Sequence, residues 1–363
     1  MTGDCAMTKR ILMTGNEAIA AGALQAGCRF YAGYPITPQN ELIAYMAKYM
    51  PQAGGVFIQA ESELAAINMV FGASAAGARA MTSSSSPGMS LKQEGISYIA
   101  GAELPAVIVN MMRGGPGLGN IAPSQSDYFQ ATRCGHGDYH SIVLAPATVH
   151  EAYYGMRDAF DLADKYRTPV IVLGDGMLGQ MMEPLELTQA AAESSEYKKD
   201  WALSGCAGRP ANVVKSFYLH EGKLEEFNLL LQKKYKRIKE KEQRAESILT
   251  DDAEIILVAY GSMARIAKTA VKTLRAQGVK AGLIRPISLW PFPEAVFKKL
   301  AAGRKKRSLL VVEMSYGQMI EDVRLSIGDR FPVEFLGRGG GGVPSEKEII
   351  VKVKHLTGKK SHR

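Results

Sequence analysis

The sequence has 363 residues, 46% hydrophobic and 22% charged, with 44 Lys and Arg against 36 Asp and Glu for a net charge of +8. That length suggests two or three domains with cores of ordinary size; no stretch approaches the roughly 18 uninterrupted apolar residues a membrane span needs, and the start of the chain has no apolar signal core, so the reading is cytoplasmic. The four cysteines, Cys5, Cys28, Cys134 and Cys206, form no CxxC pair, which indicates neither a disulfide framework nor a zinc or iron–sulfur cradle, so any metal centre for electron transfer sits on another polypeptide.

From Ile11 to about Asp175 short apolar runs alternate with amphipathic stretches: FYAGYP, VFIQA, ARAMTSS, PAVIVNMM, SIVLAP and PVIVLGDG. This alternation predicts an α/β domain with a parallel sheet covered by helices, over residues 1–186. Residues 187–250 lose it, passing through Ala- and Ser-rich text into a charged helical pattern (EGKLEEFNLLLQKKYKRIKEKEQRAESIL), and read as a helical connecting segment. Alternation resumes over residues 251–363 with EIILVAYGS, a helix from about Met263 to Gln277, KAGLIRPISLW, SLLVVEMSY and PVEFLG, a second and smaller α/β domain.

The positive charge gathers at Lys233 to Arg244, Arg304 to Arg307 and the tail from Lys352. The first run is interleaved with Glu240 and Glu242 at helix-pairing distances, and no nucleic-acid recognition motif accompanies any of the three, so a solvated helix and a frayed tail are expected rather than a nucleic-acid surface. An acidic protein partner stays open. His136, His140, His150 and His220 show no ligand spacing and receive no role.

In open α/β sheets ligands bind beyond the carboxyl ends of the strands. Here those ends carry Ile36-Thr37-Pro38, Glu61-Ser62-Glu63, Ser83 to Ser86 with Pro87-Gly88, and Arg113-Gly114-Gly115-Pro116. Facing one rim, they supply a hydroxyl, carboxylates, a serine-rich helix start and a guanidinium among glycines, equipment for an anionic organic molecule. Each has an ordinary alternative: Thr37 as a turn or cap residue, the acids as partners of a helix dipole, Arg113 as a snorkelling surface arginine, the serines as caps. Spacing does not separate Glu61 from Glu63. Gly339 to Gly342 lacks a following GK[ST] and reads as a flexible or close-packed turn rather than a phosphate loop.

The segments GNEAIAAGALQAGCRFYAGYPITPQNE, QAESELAAINMVFGASAAGARAMTSSSSPGMSLKQEGISYIAGAELP and VNMMRGGPGLGNIAPSQSDYFQA resemble the alpha-type subunit of 2-oxoacid:ferredoxin oxidoreductases, over roughly Ile11 to Glu186. YPITP, a downstream SE, SSPG and RGGP occur in that family's order, and RPISLWPFP resembles the transketolase carboxy-terminal-like domain. The resemblance implies a thiamine diphosphate pyrimidine-binding-type domain followed by a transketolase C-terminal-like one. By motif position, Glu63 would hydrogen-bond the aminopyrimidine, with Tyr34 and Pro35 beside it against the cofactor. Thr37 would contact the 2-oxoacid and Arg113 its carboxylate.

The same resemblance implies that the other half of the cofactor site, its Mg2+ and the iron–sulfur clusters lie on partners: a diphosphate-binding beta-type subunit, a gamma-type subunit, a ferredoxin-like subunit and ferredoxin itself. The Gly174-Asp175-Gly176 triplet imitates the diphosphate motif, but the next asparagine, Asn212, lies too far on, so no metal is expected in this chain. The implied reaction is oxidative decarboxylation of a 2-oxoacid with coenzyme A as acyl acceptor. RGGPGLGNIAPSQSDYFQA looks closest to the 2-oxoisovalerate group, and an apolar loop holding Leu118 and Ile121 suits a branched tail, although Arg133 or His136 could serve a second carboxylate. The alternatives are 2-oxoglutarate or pyruvate as substrate and, from another class, a non-catalytic scaffold; retention of Thr37, Glu63 and Arg113 together argues against the scaffold.

Overall fold

A computed structural model describes residues 10–187 and 197–358; Cys5 lies outside them. In chain order the elements are β1 (Arg10–Thr14), α1 (Gly15–Gln25), β2 (Phe30–Gly33), α2 (Asn40–Tyr49), β3 (Val56–Gln59), α3 (Glu63–Ala75), β4 (Ala80–Ser84), α4 (Ser86–Gly101), β5 (Ala106–Met112), α5 (Tyr128–Arg133), β6 (Ile142–Leu144), α6 (Val149–Tyr166), β7 (Pro169–Asp175), α7 (Gly176–Gln180) and β8 (Met182–Glu186). There follow α8 (Lys223–Lys241), β9 (Ala245–Ile248), β10 (Ile255–Val258), α9 (Gly261–Ala276), β11 (Ala281–Pro286), β12 (Ser288–Trp290), α10 (Glu294–Ala302), β13 (Ser308–Glu313), α11 (Met319–Ile327), β14 (Val333–Gly337) and α12 (Glu346–Leu356).

The architecture is α/β. A seven-stranded sheet runs β12-β6-β7-β5-β4-β2-β3, parallel except for β12, and a five-stranded sheet runs β14-β13-β10-β11-β9, parallel except for β9. The central strands AVIVNMM and PVIVLGD are buried along their whole length, because helices cover both faces of a parallel sheet and an unbroken apolar run loses nothing there. Helix starts are written locally: Thr14 and Glu17 form a capping box on α1, and Thr148 caps α6.

Three details lie outside the alternation. β1 pairs antiparallel with β8 as a separate two-stranded ribbon. The stretch 187–250, read as helical, contains α8 and also β9, which pairs antiparallel with β11. β12 leaves the second sheet's neighbourhood and pairs with β6 of the first, while Trp290 stacks on His140 at 4.4 Å. The two sheets thus share a hydrophobic cluster that runs from Ile19 and Ile108 to Val311 and Ile327. Gln125 stitches the same joint: its side-chain amide donates to the Tyr260 carbonyl at 2.9 Å and its side-chain oxygen accepts from the Met314 amide at 3.0 Å. Among the described residues no helix is long and apolar enough to cross a membrane.

Candidate active site

The ends of β2, β3, β4 and β5 bring the expected turns to one rim. After β2, Tyr34 and Pro35 are exposed and Thr37 is half-buried. The turn is anchored from below by a buried chain in which Tyr31 meets Ser83 at 2.5 Å and the Ser83 hydroxyl donates to Gln39 at 2.5 Å. Thr37 accepts from the Asn40 amide at 3.3 Å through its hydroxyl. Its carbonyl accepts from Arg113 Nη1 at 3.0 Å, which joins the first turn to the fourth.

After β3 the chain resolves what spacing left open. Ser62 caps α3 by accepting from the Ala65 amide at 3.1 Å; this setting of the helix start leaves Glu61 exposed and turns Glu63 inward, where it is 6% exposed. Glu63 lies against Gly88, at which an added Cβ would strike both the Glu63 carboxylate and the Ser84 hydroxyl. No described group hydrogen-bonds that carboxylate. The neighbouring hydroxyls of Ser84 and Ser85 are buried and also unpartnered.

Arg113, at the end of β5, is 7% exposed. Its Nη2 donates to the Leu118 carbonyl at 3.0 Å, and its Nε is buried without a partner. Among the described residues it forms no ion pair. A buried guanidinium whose hydrogen bonds go to neutral carbonyls, with Asp127 acting on it without direct contact, still has room for a carboxylate partner, the setting in which an incoming carboxylate gains. Behind it Ser86 accepts from the Arg113 amide at 3.0 Å and donates to Asp127 at 2.6 Å; burial raises Asp127, with Ser86, Asn110 and Arg113 opposing the shift.

The loop that follows Arg113 rests on the second domain. Asn120 donates to the Gly340 carbonyl at 2.9 Å, and a Cβ on Gly341, whose φ is +92°, would fall 2.6 Å from Ala122. Gly339 to Gly342 is therefore a close-packed turn that seats the substrate-side loop. Leu118 and Ile121 are 81% and 64% exposed on that loop, and Leu64 and Leu91 add further exposed apolar surface after Tyr34.

The Gly174-Asp175-Gly176 triplet ends β7. Asp175 caps α7 by accepting from the amides of Met177 and Leu178 at 2.9 and 3.0 Å, and it takes the Ser262 hydroxyl at 3.0 Å. The bond to Ser262 ties the two domains together. Arg133 is committed to Asp322 at 2.7 Å and His136 meets Ser97. Among the described residues no three His, Cys, Asp or Glu side chains are grouped as a metal would need.

Lys92 is not among the residues the sequence alone marks. The signal for Lys92 was present: Met89, Lys92, Ile96 and Ile99 recur at helical spacing in α4, which puts a lysine in an apolar row. Its Nζ donates to the Glu63 carbonyl at 3.2 Å and to the Thr82 hydroxyl at 3.0 Å.

With this geometry in view, residues 21–248 match the family described as pyruvate flavodoxin/ferredoxin oxidoreductase, thiamine diphosphate-binding, and residues 253–349 match pyruvate:ferredoxin oxidoreductase core domain II. The ketoisovalerate oxidoreductase subunit VorB of Methanothermobacter marburgensis is 52% identical over 96% of this chain and 98% of its own length. The 2-oxoglutarate synthase subunit KorA of Archaeoglobus fulgidus is 43% identical over 86% and 90%. Among solved structures, 2-oxoglutarate:ferredoxin oxidoreductase from Magnetococcus marinus, with 2-oxoglutarate, coenzyme A and succinyl-CoA bound, superposes with a TM-score of 0.85 at 28% identity, over 95% of this chain and 65% of that one. A split-gene transketolase, at a TM-score of 0.60 and 15% identity, shares the fold.

Proposed function

Because the chain belongs to the 2-oxoacid:ferredoxin oxidoreductase family, we propose that it supplies the pyrimidine-side half of a thiamine diphosphate site and processes 2-oxoisovalerate, releasing carbon dioxide, passing the acyl group to coenzyme A and giving up two electrons to ferredoxin. The observation that carries the reading is the pairing, on one rim, of a buried carboxylate that no described donor reaches with a buried guanidinium that no described carboxylate reaches. Glu63 would hydrogen-bond the cofactor's aminopyrimidine ring and share a proton with it, and Tyr34 and Pro35 would border that ring. Arg113 pairs with the carboxylate of the 2-oxoacid, and the Thr37 hydroxyl positions its oxygen. The cofactor supplies the electron sink for decarboxylation; these side chains supply its protonation state, the orientation of the substrate and the exclusion of water.

A branched apolar tail is supported by the exposed Leu118 and Ile121 and by the Arg133–Asp322 pair, which removes one cation that a second carboxylate would need. It is supported too by relatives named for ketoisovalerate at 52% and 51% identity. The partners are a diphosphate-binding subunit that docks on the apolar rim and holds the Mg2+, a gamma-type subunit, and ferredoxin-like carriers of the iron–sulfur clusters; the compartment is the cytoplasm. Co-expression with the diphosphate-binding partner, followed by anaerobic assay of coenzyme A-dependent viologen reduction, tests the reading. Preference for 2-oxoisovalerate over 2-oxoglutarate and pyruvate is expected. Preference for either other acid would keep the chemistry and refute the pocket, and silence from a cofactor-loaded complex would refute catalysis.

A further inference from the structure

Lys92 is fully enclosed. An ammonium taken out of water costs several kcal/mol unless its charge is answered, and the row it occupies between Met89 and Ile96 would take an apolar side chain of the same length. Its two hydrogen-bond partners, the Glu63 carbonyl and the Thr82 hydroxyl, are neutral, yet they belong to the first turn of α3 and to β4. Lys92 therefore ties together three of the elements that build the rim.

The charge that faces it is also identifiable. β4 offers Lys92 only hydroxyls, and β5 only Asn110. Beyond β5, the Asp127 carboxylate is taken by Ser86 and Asn110. Asp175, at the end of β7, is taken by two amides and Ser262. On α4 itself, Glu94 is exposed and bound to Tyr98. What remains is Glu63, the charge that acts on Lys92; burial pushes the lysine down to about 7 and Glu63 opposes that shift.

We propose that Lys92 is a positioning residue of the half-site, seating the first turn of α3 and supplying the counter-charge to the buried Glu63 carboxylate. The proposal rests on the role given to Glu63 above. With Lys92 protonated beside an ionised Glu63 the pair carries no net charge, and neither group stands as a lone buried ion. Without Lys92, an ionised Glu63 is a lone buried anion.

The test is a double-mutant cycle in the assembled complex, on the parent, Lys92→Met, Glu63→Gln and the double variant, reading the Kd for thiamine diphosphate at pH 7 and the pH profile of kcat. Lys92→Met should weaken cofactor binding by about tenfold and move the acid limb of the profile upward, while in the Glu63→Gln background it should add less than about twofold, since coupled residues are non-additive. Equal losses in both backgrounds, or an unmoved acid limb, overturn the proposal and leave Lys92 a packing residue. Should Lys92→Met fail to assemble, Thr82→Val removes one acceptor at nearly constant volume and should show the same non-additivity at smaller amplitude; additivity there is equally fatal. A Glu63→Gln complex that binds and turns over like the parent refutes the Glu63 role itself, a result separate from any outcome for Lys92.

Discussion

Two glutamates in this molecule follow a strand, stand at or before the start of a helix and are buried, yet their surroundings are opposite. Glu313, at the end of β13 in the second domain, is fully enclosed and saturated: it accepts from the Ser315 hydroxyl at 2.8 Å and from the amides of Gln318, Met319 and Ile320 at 3.1, 3.1 and 3.0 Å. Burial still raises it, and those four donors hold the rise in check. Glu63 has the same kind of position and none of the donors. A buried polar group normally finds its partners within the fold. Burial alone therefore does not mark a site, nor does one unpartnered atom such as Asn16 Oδ1; what sets this rim apart from Glu313 is that Ser84, Ser85 and Arg113 Nε repeat the unfilled capacity around Glu63.

The largest expected effect contrasts these two carboxylates. Glu63→Gln loses no described hydrogen bond, and Lys92, which burial already brings down to about 7, can shed its proton when its counter-charge goes. Assembly should therefore persist and the melting temperature should fall only slightly, while kcat falls by about 10²- to 10⁴-fold, the range of acid–base assistance. Glu313→Gln should do the reverse. Either orientation of the amide turns an N–H₂ toward a backbone donor, which costs about 1–3 kcal/mol of stability with kcat per folded complex unchanged. Differential scanning calorimetry beside viologen-reduction rates separates the two. A Glu63 variant that melts early with full turnover would erase the distinction between open and saturated carboxylates.

Arg113→Ala sharpens the contrast on the cationic side. Charge-assisted hydrogen bonds contribute about 1.5–3 kcal/mol, so the KM for the 2-oxoacid should rise by about 10- to 100-fold, more than cofactor affinity changes. An unchanged KM would mean that the carbonyls of Thr37 and Leu118 already exhaust this guanidinium.

How much of this was legible depended on the range of the interaction. The order of strands and helices was, because PAVIVNMM and PVIVLGDG carry their burial in their own composition. The gathering of Thr37, Glu63 and Arg113 on one rim followed from strand direction. Which of Glu61 and Glu63 turns inward was not, since it depends on Ser62 starting the helix, a difference of one residue. The three-residue β12 was hidden because it pairs with β6 across a long separation in the chain, Ser288 opposite Leu144, and three residues hold no period. The role of Asp175 was not legible, since its bond to Ser262 joins residues 87 apart in the chain.

The smallest effect belongs to a third kind of carboxylate, one that is satisfied but wet. Asp252 forms a two-pronged pair with Arg275, both contacts at 2.7 Å, and these hydrogen bonds hold it down at about 2, below its ordinary 3.8. A depressed carboxylate contributes stability that is fully present above its unfolded pKa and is lost as pH falls through the folded one, so the window runs from about pH 4 down to about pH 2. Its side chain is 55% exposed, however, and water and salt screen such a pair at every pH. Arg275 also holds the carbonyls of Ala281 and Leu249, and these survive removal of the acid. Asp252→Asn should therefore shift the melting temperature at pH 7 by no more than about a degree or two, and the difference from the parent should vanish by pH 2. A shift as large as that of Glu313→Gln would show that geometry outweighs exposure in setting what a carboxylate contributes here, against the distinction drawn between the rim and the second domain.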